Sequence, residues 1–187
     1  MKKLIPIILI PFLFLSCNRN AKTDRSVMNE EKQSLETSYR HADSLYAKCG
    51  RIDSAAFTEF VSKTLDYVEK HPDDSLSPEM LYKAGVGSMI LAKSAKNVVS
   101  RAENAKKGLA IYNQFQELYP QHESAKLCYW QRAIIYDDIL GDWRSAETEY
   151  RDFINRYPDD SLTPGFIQYL KILGKSPEEI EEQLNIK

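Results

Sequence analysis

Cysteine, glycine, proline, histidine and tryptophan are all scarce in this 187-residue chain, with 3, 7, 8, 3 and 2 copies. So few cysteines exclude a disulfide-stapled miniature fold. Low glycine and proline, set against frequent Ala, Leu, Lys, Glu and Tyr, argue against a strand-rich sandwich and for helices. The three histidines, His41, His71 and His122, stand in no paired-His or Cys/His ligand spacing, so no metal is expected. No apolar run is long enough to cross a bilayer, which takes about 20 residues. Charge of neither sign dominates: the net charge is −2. Without the first 16 residues there are 23 basic against 27 acidic side chains, which opposes nucleic-acid binding.

What is present begins with an address. Lys2 and Lys3 precede an apolar run from Leu4 to Leu15 that contains Pro6 and Pro11, and Ser16-Cys17 follow. This order is that of a signal peptide over residues 1–16. Phe14-Leu15-Ser16-Cys17 resembles the lipobox of bacterial lipoproteins, departing from it at Phe14 and Leu15 and fitting it at Ser16 and Cys17. The resemblance implies a diacylglycerol on the Cys17 thiol and a chain held to a membrane through buried acyl carbons. Residues 17–26 then read as a lipidated, polar tether. In related lipoproteins, Asn rather than Asp after the Cys permits sorting to the outer membrane, facing the periplasm. The remaining 27–187 read as one domain.

Inside that domain the sequence repeats itself. His71-Pro72-Asp73-Asp74-Ser75-Leu76-Ser77-Pro78 returns as Tyr157-Pro158-Asp159-Asp160-Ser161-Leu162-Thr163-Pro164, and Tyr119-Pro120-Gln121-His122-Glu123-Ser124 is a weaker third copy. An aromatic stands five residues before each proline: Tyr67, Phe115 and Phe153. Proline lacks an amide hydrogen and pushes its predecessor out of the α region, so a helix stops there. Ser77 and Thr163 are expected to cap the next helix, with Pro at its first position. Phe57, Phe60, Val61, Leu65 and Val68 form one helical stripe, and Leu109, Tyr112, Phe115 and Tyr119 another. Tyr129, Ala133 and Tyr136 line a third helix, Gly141-Asp142-Trp143 makes a turn, and Ala146, Tyr150 and Phe153 line its partner.

This last arrangement resembles the tetratricopeptide repeat. From Gly141 onward the spacing matches, with Ala146 five residues on, Tyr150 four further and Pro158 closing the unit. The first helix is one residue longer than the pattern. The preceding unit, from about Ser77 to Pro120, puts Gly108 at the Ala position and holds roughly ten extra residues around 95–105, to be absorbed by longer helices or by a loop. The resemblance implies an all-α, antiparallel helix-pair solenoid, bracketed by a leading helix near Val27 to Lys48 and a closing helix from Ser176 to Leu184. It extends to the small periplasmic repeat lipoproteins of outer-membrane assembly and to the Tol-Pal-associated coordinator. What it implies is a non-catalytic adaptor without a cofactor, binding a protein or peptide on a concave face; a self-associating envelope scaffold is the alternative.

Candidate contact residues are Tyr82, Tyr129, Gln131, Arg132 and Tyr136, though the tyrosines also follow the core period. Gly85-Val86-Gly87-Ser88 lacks the Lys-Ser/Thr of a phosphate loop and reads as close helix contact. Asp137 and Asp138 are adjacent on a helix and point about 100° apart, so they form no catalytic pair. Cys128 reads as a small core hydrophobe, with a bridge to Cys49 as the alternative. Lys93, Lys96, Arg101, Lys106 and Lys107 against Glu103 give a local excess of positive charge, either a solvated face or a site for an anionic partner.

Overall fold

In the computed structural model, which describes residues 17–50 and 52–184, the chain is all-α. Eight helices follow one another among the described residues: α1 (Cys17–Cys49), α2 (Ser54–Lys70), α3 (Ser77–Ser94), α4 (Val98–Leu118), α5 (Leu127–Ile134), α6 (Trp143–Arg156), α7 (Thr163–Tyr169) and α8 (Pro177–Leu184). Each of α1 to α7 packs on its sequence neighbour, so α1/α2, α3/α4 and α5/α6 are successive antiparallel pairs and α7 opens a fourth. The architecture is a tetratricopeptide-like helix-pair solenoid. No described helix is long and apolar enough to cross a membrane. The signal segment inferred for 1–16 lies outside the described residues.

The expected stripes are the core. Phe57, Phe60, Val61 and Val68 on α2 and Leu109, Tyr112 and Phe115 on α4 are buried, with Leu65 and Tyr119 at the margin. A second cluster joins Tyr129, Ala133, Ala146, Tyr150, Phe153 and Phe166, where the Phe153 and Phe166 rings lie 4.8 Å apart. Every member of both clusters lies between Leu35 and Leu173, so a chain without its first 16 residues keeps the whole core. Gly85 shows why a small residue is needed between α3 and α4: a Cβ there would sit 2.5 Å from the Tyr112 ring.

The three proline corners share one backbone. His71, Tyr119 and Tyr157 leave the helix with φ near −130° and ψ between 52° and 60°, outside the α region that a following proline disfavours. Each donates its amide at 2.8 Å to the aromatic residue four positions back, Tyr67, Phe115 or Phe153. The carbonyls of His71 and Tyr157 then accept twice. Asp74 and Asp160 donate backbone amides to them at 3.1 and 3.2 Å, and the hydroxyls of Ser77 and Thr163 donate at 2.6 Å.

That second bond corrects the capping expectation. Leu76 and Leu162 already have helical φ and ψ, so the hydroxyls of Ser77 and Thr163 point back into the corner rather than at helix amides. The free amides of Leu76 and Leu162 are taken by the carboxylates of Asp74 and Asp160 at 3.0 and 2.9 Å. In the third corner the His122 imidazole does the same for the amide of Ser124 at 3.1 Å. Lys32 and Lys126 hold the two aspartates at 2.5 Å each, and the Tyr119 hydroxyl donates to the Pro72 carbonyl at 2.8 Å, tying one corner to the next.

Irregularities in the sequence have visible outcomes. The extra residue in the α5 region is accommodated as a π-helical segment, Ile135–Ile139, which continues α5 and closes with the Leu140 amide donating to the Ile135 carbonyl. This restores the register of Gly141, which turns the chain with φ +68°, and of Asp142, whose side chain accepts the Ser145 amide at 3.2 Å. The extra residues around 95–105 lengthen α4 to 21 residues and leave only a short link capped by Asn97.

The leading helix starts at Cys17, ten residues earlier than expected, so 17–26 is helical rather than a tether. Nothing between Cys17 and Cys49 is a Gly or Pro that would stop it. The closing helix begins with reciprocal bonds between Ser176 and Glu179, the capping box its sequence announces.

Two glycines give opposite expectations. Gly85→Ala gains about 1 kcal/mol in helix propensity but loses about 2–3 kcal/mol by overpacking against Tyr112, for a net loss in urea unfolding. Gly165→Ala, with nothing within 4 Å of its Cβ position, gains about 0.5 kcal/mol. A second expectation concerns acid. At Asp74, burial opposes the charge, but Lys32 and the Leu76 amide outweigh it and hold the carboxyl below its ordinary 3.8. Lys126 does the same at Asp160. Both groups therefore add stability that is complete above pH 3.8 and is lost as the pH falls through their lowered folded values. Thermal unfolding followed across that range falls less steeply in Asp74→Asn/Asp160→Asn than in the native chain.

Candidate binding groove

The first helix of each pair, α1, α3 and α5, together with α7, forms one face of the stack. Between α5 and α7 that face opens into a groove of about 440 Å³. Trp130 and Ile134 on α5 and Asp138 on its π-helical continuation, spaced by four, make one wall, and Gly165, Phe166 and Tyr169 on α7 make the other, with Tyr150 below. The spacing follows from the helical period. The groove stays open because Gly165 has no side chain there, while Phe166 is anchored in the core against Tyr150 and Phe153.

The polar groups at its rim are held. The Tyr169 hydroxyl donates to Asp137 at 2.5 Å, and that bond, with burial, pushes the Tyr169 phenol well above its usual value. Burial pushes the Tyr150 phenol up to about 12. Both tyrosines are neutral over the physiological range. Asp138 is exposed and faces Lys93 of α3 at 3.2 Å. The adjacent aspartates thus serve two different partners. Aromatic walls, aliphatic Ile134 and one exposed carboxylate suit an apolar side chain of a peptide with a donor or cation beside it.

The five residues singled out from the sequence lie outside this groove, Tyr82 on α3, Tyr129, Gln131 and Arg132 on α5 and Tyr136 in the π segment. Arg132 is 6% exposed and clamps Glu149 of α6 through two bonds of 2.8 and 2.7 Å, while donating at 2.6 Å to Gln116 of α4. Gln116 in turn donates to the Ala125 carbonyl, so this network locks three helices and a turn together. Tyr129 is buried beneath the Arg132 guanidinium, 4.9 Å from its ring, and is not open to a partner. Gln131 donates to the Tyr82 hydroxyl at 3.0 Å, joining α5 to α3 across the open face. Tyr136 is half-buried between the two core clusters.

Trp130, Ile134 and Asp138 carried a signal in the i, i+4, i+8 spacing. The stripe of Tyr129, Ala133 and Tyr136, expected to follow the core period, is the side of this helix that packs in the core. Gly165 carried none, because its meaning depends on α5 facing it. Cys128 is a free, buried thiol pushed up to about 12 by that burial, which supports the core reading over a bridge. Among the described residues no group of His, Cys, Asp and Glu is placed to hold a metal.

Successive antiparallel helix pairs closed by proline corners are a tetratricopeptide-like arrangement. Residues 127–160, the α5/α6 pair and its corner, match the tetratricopeptide repeat family. No curated protein matches the chain.

The Arg132 clamp makes a sharp expectation. Removing one partner of a buried ion pair strands the other, so Arg132→Met costs about 3 kcal/mol. Arg132→Met/Glu149→Leu recovers most of that loss in the same urea titration, leaving a coupling energy that a surface pair does not show.

Proposed function

We propose that this chain is a non-catalytic protein-binding adaptor of the bacterial cell envelope, anchored by a lipid on Cys17 at the outer membrane and facing the periplasm. A protein or peptide is the ligand, as tetratricopeptide repeats suggest. The observation that carries the binding reading is the α5–α7 groove, an apolar slot lined by Trp130, Ile134, Phe166 and Tyr169 and left open by Gly165. The anchor reading is supported by the sequence order of Lys2-Lys3, the apolar run and Ser16-Cys17. Assembly of outer-membrane proteins is the finer role suggested by resemblance to small repeat lipoproteins.

Gly165→Leu separates binding from folding, because it fills the slot from a position with free space. A photo-crosslinker at Ile134 in intact cells is expected to yield one discrete adduct that Gly165→Leu abolishes while the thermal midpoint holds. An adduct pattern unchanged by Gly165→Leu removes the groove from the account. Acylation is read separately: labelled palmitate enters the native chain and not Cys17→Ser.

A further inference from the structure

The middle proline corner is built with fewer bonds than the other two. The Tyr119 carbonyl accepts the His122 amide at 3.0 Å, but the residue six positions on, which supplies a hydroxyl at Ser77 and Thr163, is Ala125 here. At the position of Asp74 and Asp160 stands His122. Its Nδ1 accepts the Ser124 amide at 3.1 Å, as those carboxylates accept the amides of Leu76 and Leu162, each two residues on. A backbone amide can only donate, so Nδ1 carries no hydrogen and Nε2 carries the one the neutral ring has. The ring stands at 87° to that of Phe115, their centres 5.4 Å apart.

What that bond holds is a joint. It caps the short turn Glu123–Ala125, whose last carbonyl accepts from Gln116 at 2.8 Å, and Gln116 is the residue through which Arg132 and Glu149 reach α4. The two buried clusters also meet at this turn, since Ala125 and Cys128 belong to the first and Tyr129 to the second. The corner therefore stands between helices α1 to α4 and the part of the stack that carries the groove.

We propose that this corner is a proton-operated hinge: a proton on His122 Nδ1 ends the bond to Ser124 and loosens the joint between the second and third helix pairs. An imidazolium donates from both nitrogens and accepts at neither. Imidazole is also the side chain that ordinarily changes charge between about pH 5 and 8, and solvent reaches this half-buried ring. Over that range Asp74 and Asp160 stay charged, because both carboxyls are held below their ordinary 3.8. The outer corners thus keep their caps where the middle one loses its own.

The sign at His122 is set by its partner. The bond to Ser124 is present while the ring is neutral and is lost as the pH falls. The charged groups on the segments around it are Glu117, Glu123 and Lys126 on its own stretch of chain, Asp73 and Asp74 at the first corner, and Arg156 and Asp160 at the third. Lys126 is held by Asp160 at 2.5 Å. His71 acts in the opposite sense, since its Nε2 lies 2.7 Å from a Glu31 carboxylate oxygen and a proton there strengthens the contact. His41 is exposed on α1.

Amide exchange of the chain without residues 1–16, which keeps the whole core, tests this at about pH 8 and about pH 5. Protection of the Ser124 and Ala125 amides, corrected for intrinsic rates, is expected to fall about tenfold between them, the worth of one such bond. The Leu76 and Leu162 amides keep theirs. His122→Asp, with the carboxylate of the other corners, holds the protection at both pH values, and His122→Asn, with the same acceptor and no charge, does so too. His71→Gln leaves the fall in place. Imidazole nitrogen NMR at the upper pH finds the hydrogen of His122 on Nε2. A hydrogen on Nδ1, unchanged protection of Ser124 in the native chain, or a fall that persists in either His122 variant overturns the proposal.

Discussion

The interaction on which this structure depends is the bonding of one carbonyl, that of the residue before proline at the end of a helix. Proline ends the helix because it brings no amide to the ladder, and that leaves carbonyls without partners at the point where the chain must turn. At His71 and Tyr157 the carbonyl takes an amide and a hydroxyl from the next six residues, so the corner closes on itself. A helix that ends this way has its successor's direction already chosen. The apolar stripes of α2, α3 and α4, and of α5, α6 and α7, then meet in sequence order, and burial of Phe60, Tyr112, Phe115 and Phe153 follows from the corner's geometry.

The corners and stripes were legible because local rules govern them. Proline, the aromatic five residues before it and the helical period are all read within one or two turns of chain, and Ser176 with Glu179 announced a cap that is there. The surplus residue before Gly141 was legible as a misfit, and the π segment is its physical solution. Less legible was anything set by a neighbour across the stack. The hydroxyls of Ser77 and Thr163 look like caps until the helical φ and ψ of Leu76 and Leu162 turn them back. Arg132 looks like a surface contact until Glu149 and Gln116 enclose it. Helix propensity across 17–26 was outweighed in the reading by polarity, which does not stop a helix.

The candidate groove shows the same division. Trp130 and Ile134 follow the period of α5 and are legible there, but the groove's openness comes from Gly165, a residue whose role exists only opposite them. In a solenoid each pair contacts only its neighbours, so the free surface is what the stack leaves uncovered: one face, two edges and two ends. Here the face holds an apolar slot between α5 and α7.

Amide hydrogen exchange in the native protein tests the corner account most directly, at His71, Tyr119 and Tyr157. If the corners lock the stack, these three amides are protected to the same degree as the interiors of α2, α4 and α6 and are released together with them on global unfolding. Exchange at these amides at the rate of exposed loops, while the helix interiors stay protected, would contradict it, because the stack would then be holding without its corners.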